Sequence, residues 1–424
     1  MSAPALLLLA ALPFAQSGFS PGDPAWRSRA ARPEIAPRAF VASAPSLGEP
    51  GALVLSGEGN AAAAGGWERR VDGVVPDRWY RLTAHYRTEH VAHESWQVVA
   101  RLDWSGSDGA RVGQPDYAWR GERAGDWGKL TLEAPAPAGA AAVQVQLQLR
   151  DGGPGVVYWD DLRLEEIAAP GPRRVTIAAL NLRPRDTASA AESVRAWVAL
   201  AEASVPAGTD VILLSEGIPM VGTGRSYVDV AEPVPGPTTK ALSELARREH
   251  AWVVAGLYER SGTVVYNTAV LIDRGGALAG TYRKVYLPRE EVEGGLTAGS
   301  AYPVFATDFG RVGLMICWDT QFADPARALA LGGAELLLVP IAGGNETLVR
   351  ARAIENRVFL ASSGYDYPTQ VTDPDGQVLA RAVTDGTVAV ATIDLNRRYL
   401  DPWLGDMRGR LFKELRTDVP ATPP

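Results

Sequence analysis

The feature that most constrains this chain is a change of pattern at Ala168-Ala-Pro-Gly-Pro172. Before it, apolar and polar residues alternate over short runs, such as Trp79 to Tyr86 and Ala142-Val-Gln-Val-Gln-Leu-Gln-Leu-Arg150, separated by turn-forming clusters. That period of two is the mark of half-buried strands, and no amphipathic helix competes with it. After it, strand-length apolar blocks alternate with helix-length amphipathic ones. Strands are expected at Val175–Leu180, Asp210–Glu216, Trp252–Tyr258, Val264–Ile272 and Val312–Trp318, with helices at Ala190–Ala203, Thr238–Glu249, Pro325–Leu331 and Glu346–Phe359. An all-β unit therefore precedes an α/β unit. No internal repeat at a fixed period is visible.

The expected division is a leader over residues 1–17, a Pro/Ala/Arg-rich linker over 18–48, a β-sandwich over 49–168 and the α/β unit over 173–416. The leader reading rests on the apolar run Ala5 to Leu12 and the small-x-small pair Ala15 and Ser17, which imply export to the periplasm or outside the cell. That run is shorter than the ~20 apolar residues that span a bilayer, so no transmembrane span is expected. The net charge of −7 argues against a nucleic-acid partner, because such binders neutralise phosphates with an excess of Lys and Arg.

Scarce residues narrow the chemistry. Cys317 is the one cysteine, which excludes an intrachain disulfide and a cysteine-rich zinc site. It follows the apolar run Val312 to Ile316 and opens a polar stretch, the strand-end position where α/β sheets collect active groups. A buried cysteine acting as a small hydrophobe is the alternative. A nucleophilic thiol needs a base, yet His85, His90 and His93 lie in the β half and His250 closes a polar helix. A carboxylate is the remaining choice, and Glu216, at the end of Val-Ile-Leu-Leu-Ser, is placed for it. Lys284 stands out because the chain has four lysines against 38 arginines; a compact ammonium in Tyr282-Arg-Lys-Val-Tyr286 suggests a role a planar guanidinium cannot fill.

The stretches around these residues, "LLSEGIP", "YRKVYLP" and "GLMICWDTQFADPARALALGGAELLLVP", resemble the Glu-Lys-Cys triad segments of the nitrilase superfamily, the carbon–nitrogen hydrolases. "YNTAVLID", "LTAGS", "RARAIENRVFLASSG" and "DPDGQVLA" extend the resemblance, in order, over about Arg174 to Arg416, with the triad members 68 and 33 residues apart. The resemblance implies a four-layer αββα sandwich, a small-molecule amide substrate, catalysis by Glu216, Lys284 and Cys317, and no metal or organic cofactor. It also implies that Glu291 stands beside the triad, that the Trp318 backbone N–H meets the substrate oxygen, and that two copies pair as a homodimer. Ser215 replaces the family's usual proline, Phe322-Ala323-Asp324 its Phe-Pro-Glu, and Cys317-Trp318-Asp319 the Cys-Trp-Glu of true nitrilases. The last points toward the amidase branches.

The β half resembles the jelly-roll modules of secreted carbohydrate-active enzymes, its ending "GVVYWDDLRLEE" looking like their last strand. Eight of the 12 tryptophans precede residue 160, so a glycan or cell-surface ligand is one expectation and core filling the other. The pair Asp160-Asp161 is a candidate for a structural calcium. The expected activity is amidase-like hydrolysis through a Cys thioester. Nitrile hydrolysis, acyl transfer, or a surface-binding protein with an inactive hydrolase unit are the alternatives.

Overall fold

The structure, a computed structural model, describes residues 13–366 and 369–419. The chain forms two compact units: residues up to Pro170 together with those from Leu400 onward, and Gly171–Tyr399.

The first unit is built from two antiparallel sheets of seven and five strands, packed face to face over one apolar core. Val143, Val145, Leu147 and Leu149 point inward from Ala142–Leu149 and meet Leu53, Leu82, Trp104 and Trp159. Each strand buries one side of its pleat. The expected linker is a correction. Arg27–Ala30 pairs with Gly65–Asp72, and Arg38–Ala42 pairs with Ala52–Ser56, so residues 18–48 belong to the sandwich. Their sequence hides this because edge strands such as Arg-Ser-Arg-Ala keep their side chains in solvent and need no apolar alternation.

The start of the chain also differs from expectation. Phe14–Gln16 pairs antiparallel with Val156–Ile167, and Phe14 is buried with its ring edge-on to Trp26 at 6.1 Å. Gln16 accepts from Trp26 Nε1 at 3.1 Å and Arg69 at 2.8 Å. A cut after Ser17 would remove that strand; the apolar run Ala5 to Leu12 lies outside the described residues. A mature chain is therefore expected to begin no later than Phe14. Intact mass of exported protein checks this, and folded material beginning at Gly18 would contradict it.

The C-terminal boundary moves as well. The helix Met407–Glu414 sits on the sandwich: Phe412 stacks on Trp119 at 4.6 Å, and the buried Lys413 ammonium donates to Val98 O at 3.0 Å. The α/β unit thus ends near Tyr399 rather than residue 416. A chain starting at Arg173 and running to 416 would carry an apolar helix face without its partner. It is expected to aggregate more than a chain of residues 171–399, which light scattering at equal concentration would read.

None of the eight early tryptophans is exposed: Trp26, Trp96, Trp104 and Trp159 are buried and the rest half-buried. Trp26, Trp104 and Trp159 fill the core, with Trp67 packed against it. The Asp160 carboxylate is already engaged by backbone N–H groups, from Leu47 at 2.6 Å and Asp161 at 2.7 Å, and Asp161 pairs with Arg163 at 3.0 Å. The calcium expectation is corrected accordingly: Asp160 fastens the loop at Leu47, and Asp161 pairs with an arginine of its own strand.

The second unit has the four-layer αββα arrangement. One sheet runs Leu278–Arg283, Val264–Ile272, Trp252–Ser261, Val211–Leu213, Arg174–Asn181, Thr387–Asp394. The other runs Val304–Ala306, Arg311–Leu314, Leu336–Pro340, Phe359–Ser363, Thr369–Thr372, Val378–Ala382. Val175, Ile177, Leu213, Val254, Val312, Leu314, Leu338 and Ala361 form the core between them. The helices Ala190–Ser204 and Pro237–Glu249 cover the first sheet through Trp197, Leu242 and Leu245. Asp324–Leu331 and Glu346–Asn356 cover the second through Leu329 and Val349.

Three expected elements end early, among them the strand expected over Asp210–Glu216, which stops at Leu213. The helix from Glu346 stops at Asn356 because Arg357 turns left-handed at φ 52°, which frees Phe359 to begin a strand. The strand expected over Val312–Trp318 stops at Leu314 and gives way to a 3-10 turn, Cys317–Gln321. Taken from Thr387–Asp394 in one sheet and Val304–Ala306 in the other, neighbouring strands pair antiparallel, parallel, parallel, antiparallel, antiparallel in both. This repeat of architecture has no counterpart in the sequence, because its loops differ in length.

Candidate active site

The central parallel strands of the two sheets end side by side, and Glu216 and Cys317 lie just beyond those ends. Glu216 follows Val211–Leu213 by three residues, and Lys284 follows Leu278–Arg283 directly. Cys317 opens the turn after Arg311–Leu314, and Glu291 lies in the short helix Arg289–Glu293. Glu216, Lys284 and Glu291 are 4%, 1% and 4% exposed, a degree of burial that ionisable side chains tolerate only when paired.

They are paired. Lys284 Nζ donates to Glu216 Oε1 and to Glu291 Oε1, each at 2.8 Å. Asn267 Nδ2 donates to the same two oxygens, again at 2.8 Å each. Glu216 Oε2 accepts from Ala342 N at 3.0 Å, whereas Glu291 Oε2 is buried with no hydrogen-bond partner among the described residues. The Cys317 thiol points to Gly343 O at 3.3 Å and interacts with the Glu216 carboxylate and the Ala342 N–H.

The backbone around the thiol is held from several sides. Cys317 has φ 40°, a left-handed conformation that costs energy for a residue with a side chain and concentrates at functional sites. The buried Asp319 maintains it, accepting from Ile316 N at 2.9 Å, Tyr286 N at 3.0 Å and Tyr282 Oη at 2.8 Å. Arg352 Nε donates to Thr320 O at 3.1 Å, and Thr320 Oγ1 to Cys317 O at 2.7 Å. Ser215, the departure from the family's proline, donates to Ile341 O at 2.6 Å and so ties the two sheet ends together. Gly217, at φ 59°, leaves room for the Tyr258 hydroxyl, which an added Cβ would meet at 2.8 Å. Trp318 is 39% exposed and Phe322, stacked on Tyr286 at 4.0 Å, is 36% exposed.

The electrostatics divide the carboxylates. Burial pushes Glu216 up, but the Lys284 charge, the Lys284 hydrogen bond and the Asn267 amide together outweigh it and hold the carboxyl below its usual range. Glu291 is pushed up to about 6, first by burial and then, against the Lys284 attraction, by the Glu216 charge. Burial, reinforced by the Glu216 charge, raises the Cys317 thiol to about 12. Burial pulls Lys284 down, but Glu216, Cys317 and Glu291 more than reverse this, and it stays an ammonium. The resting site is therefore a neutral thiol beside an ionised Glu216.

All five residues singled out in the sequence lie here: Glu216, Lys284, Glu291 and Cys317 share one cluster, and Trp318 adjoins it. Asn267, Asp319 and Ser215 stood inside the quoted segments without an assigned role. A signal for Asn267 existed: it is a wholly buried amide inside the apolar strand Val264–Ile272. The contributions of Ala342 and Gly343 come from the backbone and leave no trace in residue type.

The carbon-nitrogen hydrolase family model matches residues 176–402. The chain belongs to the carbon-nitrogen hydrolase family. It is accordingly a hydrolase of carbon–nitrogen bonds other than peptide bonds. It is 37% identical over 150 residues to a protein named as a probable nitrilase in Schizosaccharomyces pombe, a match spanning 33% of this chain and 55% of that one. It is 31% identical over 241 residues to an omega-amidase of Bos taurus, spanning 50% of this chain and 85% of the relative. Among solved structures, an amidase from Nesterenkonia sp. is 24% identical with a TM-score of 0.47, over 54% of this chain and 94% of that one.

Proposed function

We propose that this hydrolase is an amidase that cleaves a small-molecule amide or carbamoyl bond through a Cys317 thioester. The observation that carries the reading is the half-buried Cys317 beside two buried carboxylates bridged by one ammonium. Glu216 takes the thiol proton as Sγ attacks the carbonyl carbon; the C–S bond forms and the carbonyl π pair moves onto oxygen. The Lys284 ammonium and the Trp318 backbone N–H receive that oxyanion. The oxyanion collapses, the C–N bond breaks, and Glu216 returns its proton to the departing nitrogen. A water, deprotonated by Glu216, then attacks the thioester carbonyl, and the C–S bond breaks to give the carboxylic acid and the thiol. Glu291 keeps Lys284 aimed at the oxygen.

Asp319 after Cys317-Trp318 and the omega-amidase relatives favour amides over nitriles. Export, with the apolar run Ala5 to Leu12 as leader, and pairing as a homodimer complete the reading. Ammonia or amine release from a panel of simple amides, carbamoyl amino acids and nitriles tests it. Release from nitriles alone, or from none, would overturn the amidase reading.

A further inference from the structure

We infer that Asn267 is a positioning residue for the proton transfer between Cys317 and Glu216, acting as the neutral counterpart of Lys284. The two come from neighbouring backbone: Lys284 N donates to Asn267 O at 2.9 Å where the strand Leu278–Arg283 leaves Val264–Ile272. Their side chains run to the same destinations. Glu216 Oε1 and Glu291 Oε1 each accept one N–H from Lys284 and one from Asn267, all at 2.8 Å.

Two carboxylates within reach of one ammonium cannot share its charge without repelling each other. A second cation would relieve the repulsion but would also hold both carboxylates so strongly that neither could accept a proton. The amide supplies two further hydrogen bonds and no charge. With both N–H bonds spent on the glutamates, Asn267 cannot rotate, and its carbonyl oxygen lies buried with no hydrogen-bond partner among the described residues. Asn267 thus fixes Oε1 of Glu216 and leaves Oε2, held by Ala342 N, as the oxygen facing the nucleophile turn.

The groups that bear on Glu216 and share its titration are Lys284, Glu291 and Cys317, with Tyr258, Tyr227 and Tyr365 from the surrounding strands and loops. The tyrosines are all raised by burial and stay neutral, so the acidic limb of thiol reactivity belongs to the carboxylates.

The inference rests on Cys317 being the nucleophile and Glu216 its base, and the test needs no substrate. Cys317 is the one cysteine in the chain, so iodoacetamide alkylation followed by intact mass reports it alone. Rates are measured from pH 4 to 9 on the full chain as wild type, Asn267→Leu and Glu216→Gln. Wild type should react faster than Glu216→Gln and lose rate as Glu216 protonates. In Asn267→Leu the carboxylate loses a donor, so its ionised form is less favoured. The acidic limb should move to higher pH by about one unit, so the rate near pH 4 should fall by up to about tenfold, while at neutral pH, where Glu216 stays ionised, it changes little. Should Asn267→Leu not fold by thermal melting, Asn267→Ser, which keeps one hydroxyl donor, carries the same test with about half the shift. A folded Asn267 variant whose profile superimposes on wild type would overturn this inference alone. A wild type that reacts no differently from Glu216→Gln would overturn it together with the nucleophile reading.

Discussion

Cys317→Ala is expected to lower amide turnover by on the order of 10⁴–10⁶-fold while leaving the protein folded. The loss is this large because nothing else at the site can form the covalent intermediate. Ser215 is the nearest hydroxyl in sequence to the base, but it is buried and its hydroxyl is committed to Ile341 O. Stability should change by only about 1 kcal/mol, since the substitution removes one sulfur atom whose hydrogen bonds are weak, that to Gly343 O being 3.3 Å, and keeps the backbone that Asp319 anchors. Intact mass under turnover makes the result specific: wild type should gain the substrate acyl mass and Cys317→Ala should not. Turnover by the alanine variant at a rate near wild type would sink the covalent mechanism.

Lys284→Met should be severe in two separable ways. Turnover falls by on the order of 10²–10³-fold or more through loss of a charged oxyanion donor. Stability at neutral pH falls by about 3–5 kcal/mol, because a buried ion pair broken on one side leaves its charge uncompensated, and here two carboxylates are left. The pH dependence gives the sign. In wild type Glu216 is held below its unfolded value, so its contribution is present above that value and lost as pH falls through the folded one. Glu291, at about 6, works in the opposite sense, its contribution being present below the unfolded value and lost as pH rises toward 6. Without the ammonium both carboxyls are raised by burial and mutual repulsion. The variant should therefore gain more stability than wild type as pH is lowered from 8 toward 5, because in wild type Glu291 alone of the two contributes over that range. Thermal melts across that range check it, and parallel curves for the two proteins would contradict the bridged arrangement.

The boundary near Pro170, the alternation of strands and helices beyond it, and the identities of Glu216, Lys284, Glu291 and Cys317 were legible in the sequence. Periodicity reports which residues face a core, and scarcity reports which residues chemistry must use. The edge strands Arg27–Ala30 and Arg38–Ala42 were not legible, since a strand with solvent on its outer side carries no apolar alternation. Nor was the allegiance of Met407–Glu414, whose stacking of Phe412 on Trp119 joins positions 293 residues apart.

What the sequence by itself determined is the pair of units and the inventory of reactive groups. Tertiary structure alone decided that Glu216 is held low while Glu291 is raised, because that division depends on which oxygens Lys284, Asn267 and Ala342 N reach. It also decided that Cys317 sits at a left-handed turn rather than in a strand, held there by the buried Asp319 and its three donors. The physical reason is common to both. Residue type and spacing encode burial and local conformation, whereas charge pairing depends on angstrom-scale distances between segments far apart in the chain, and those exist only once the two sheets have packed.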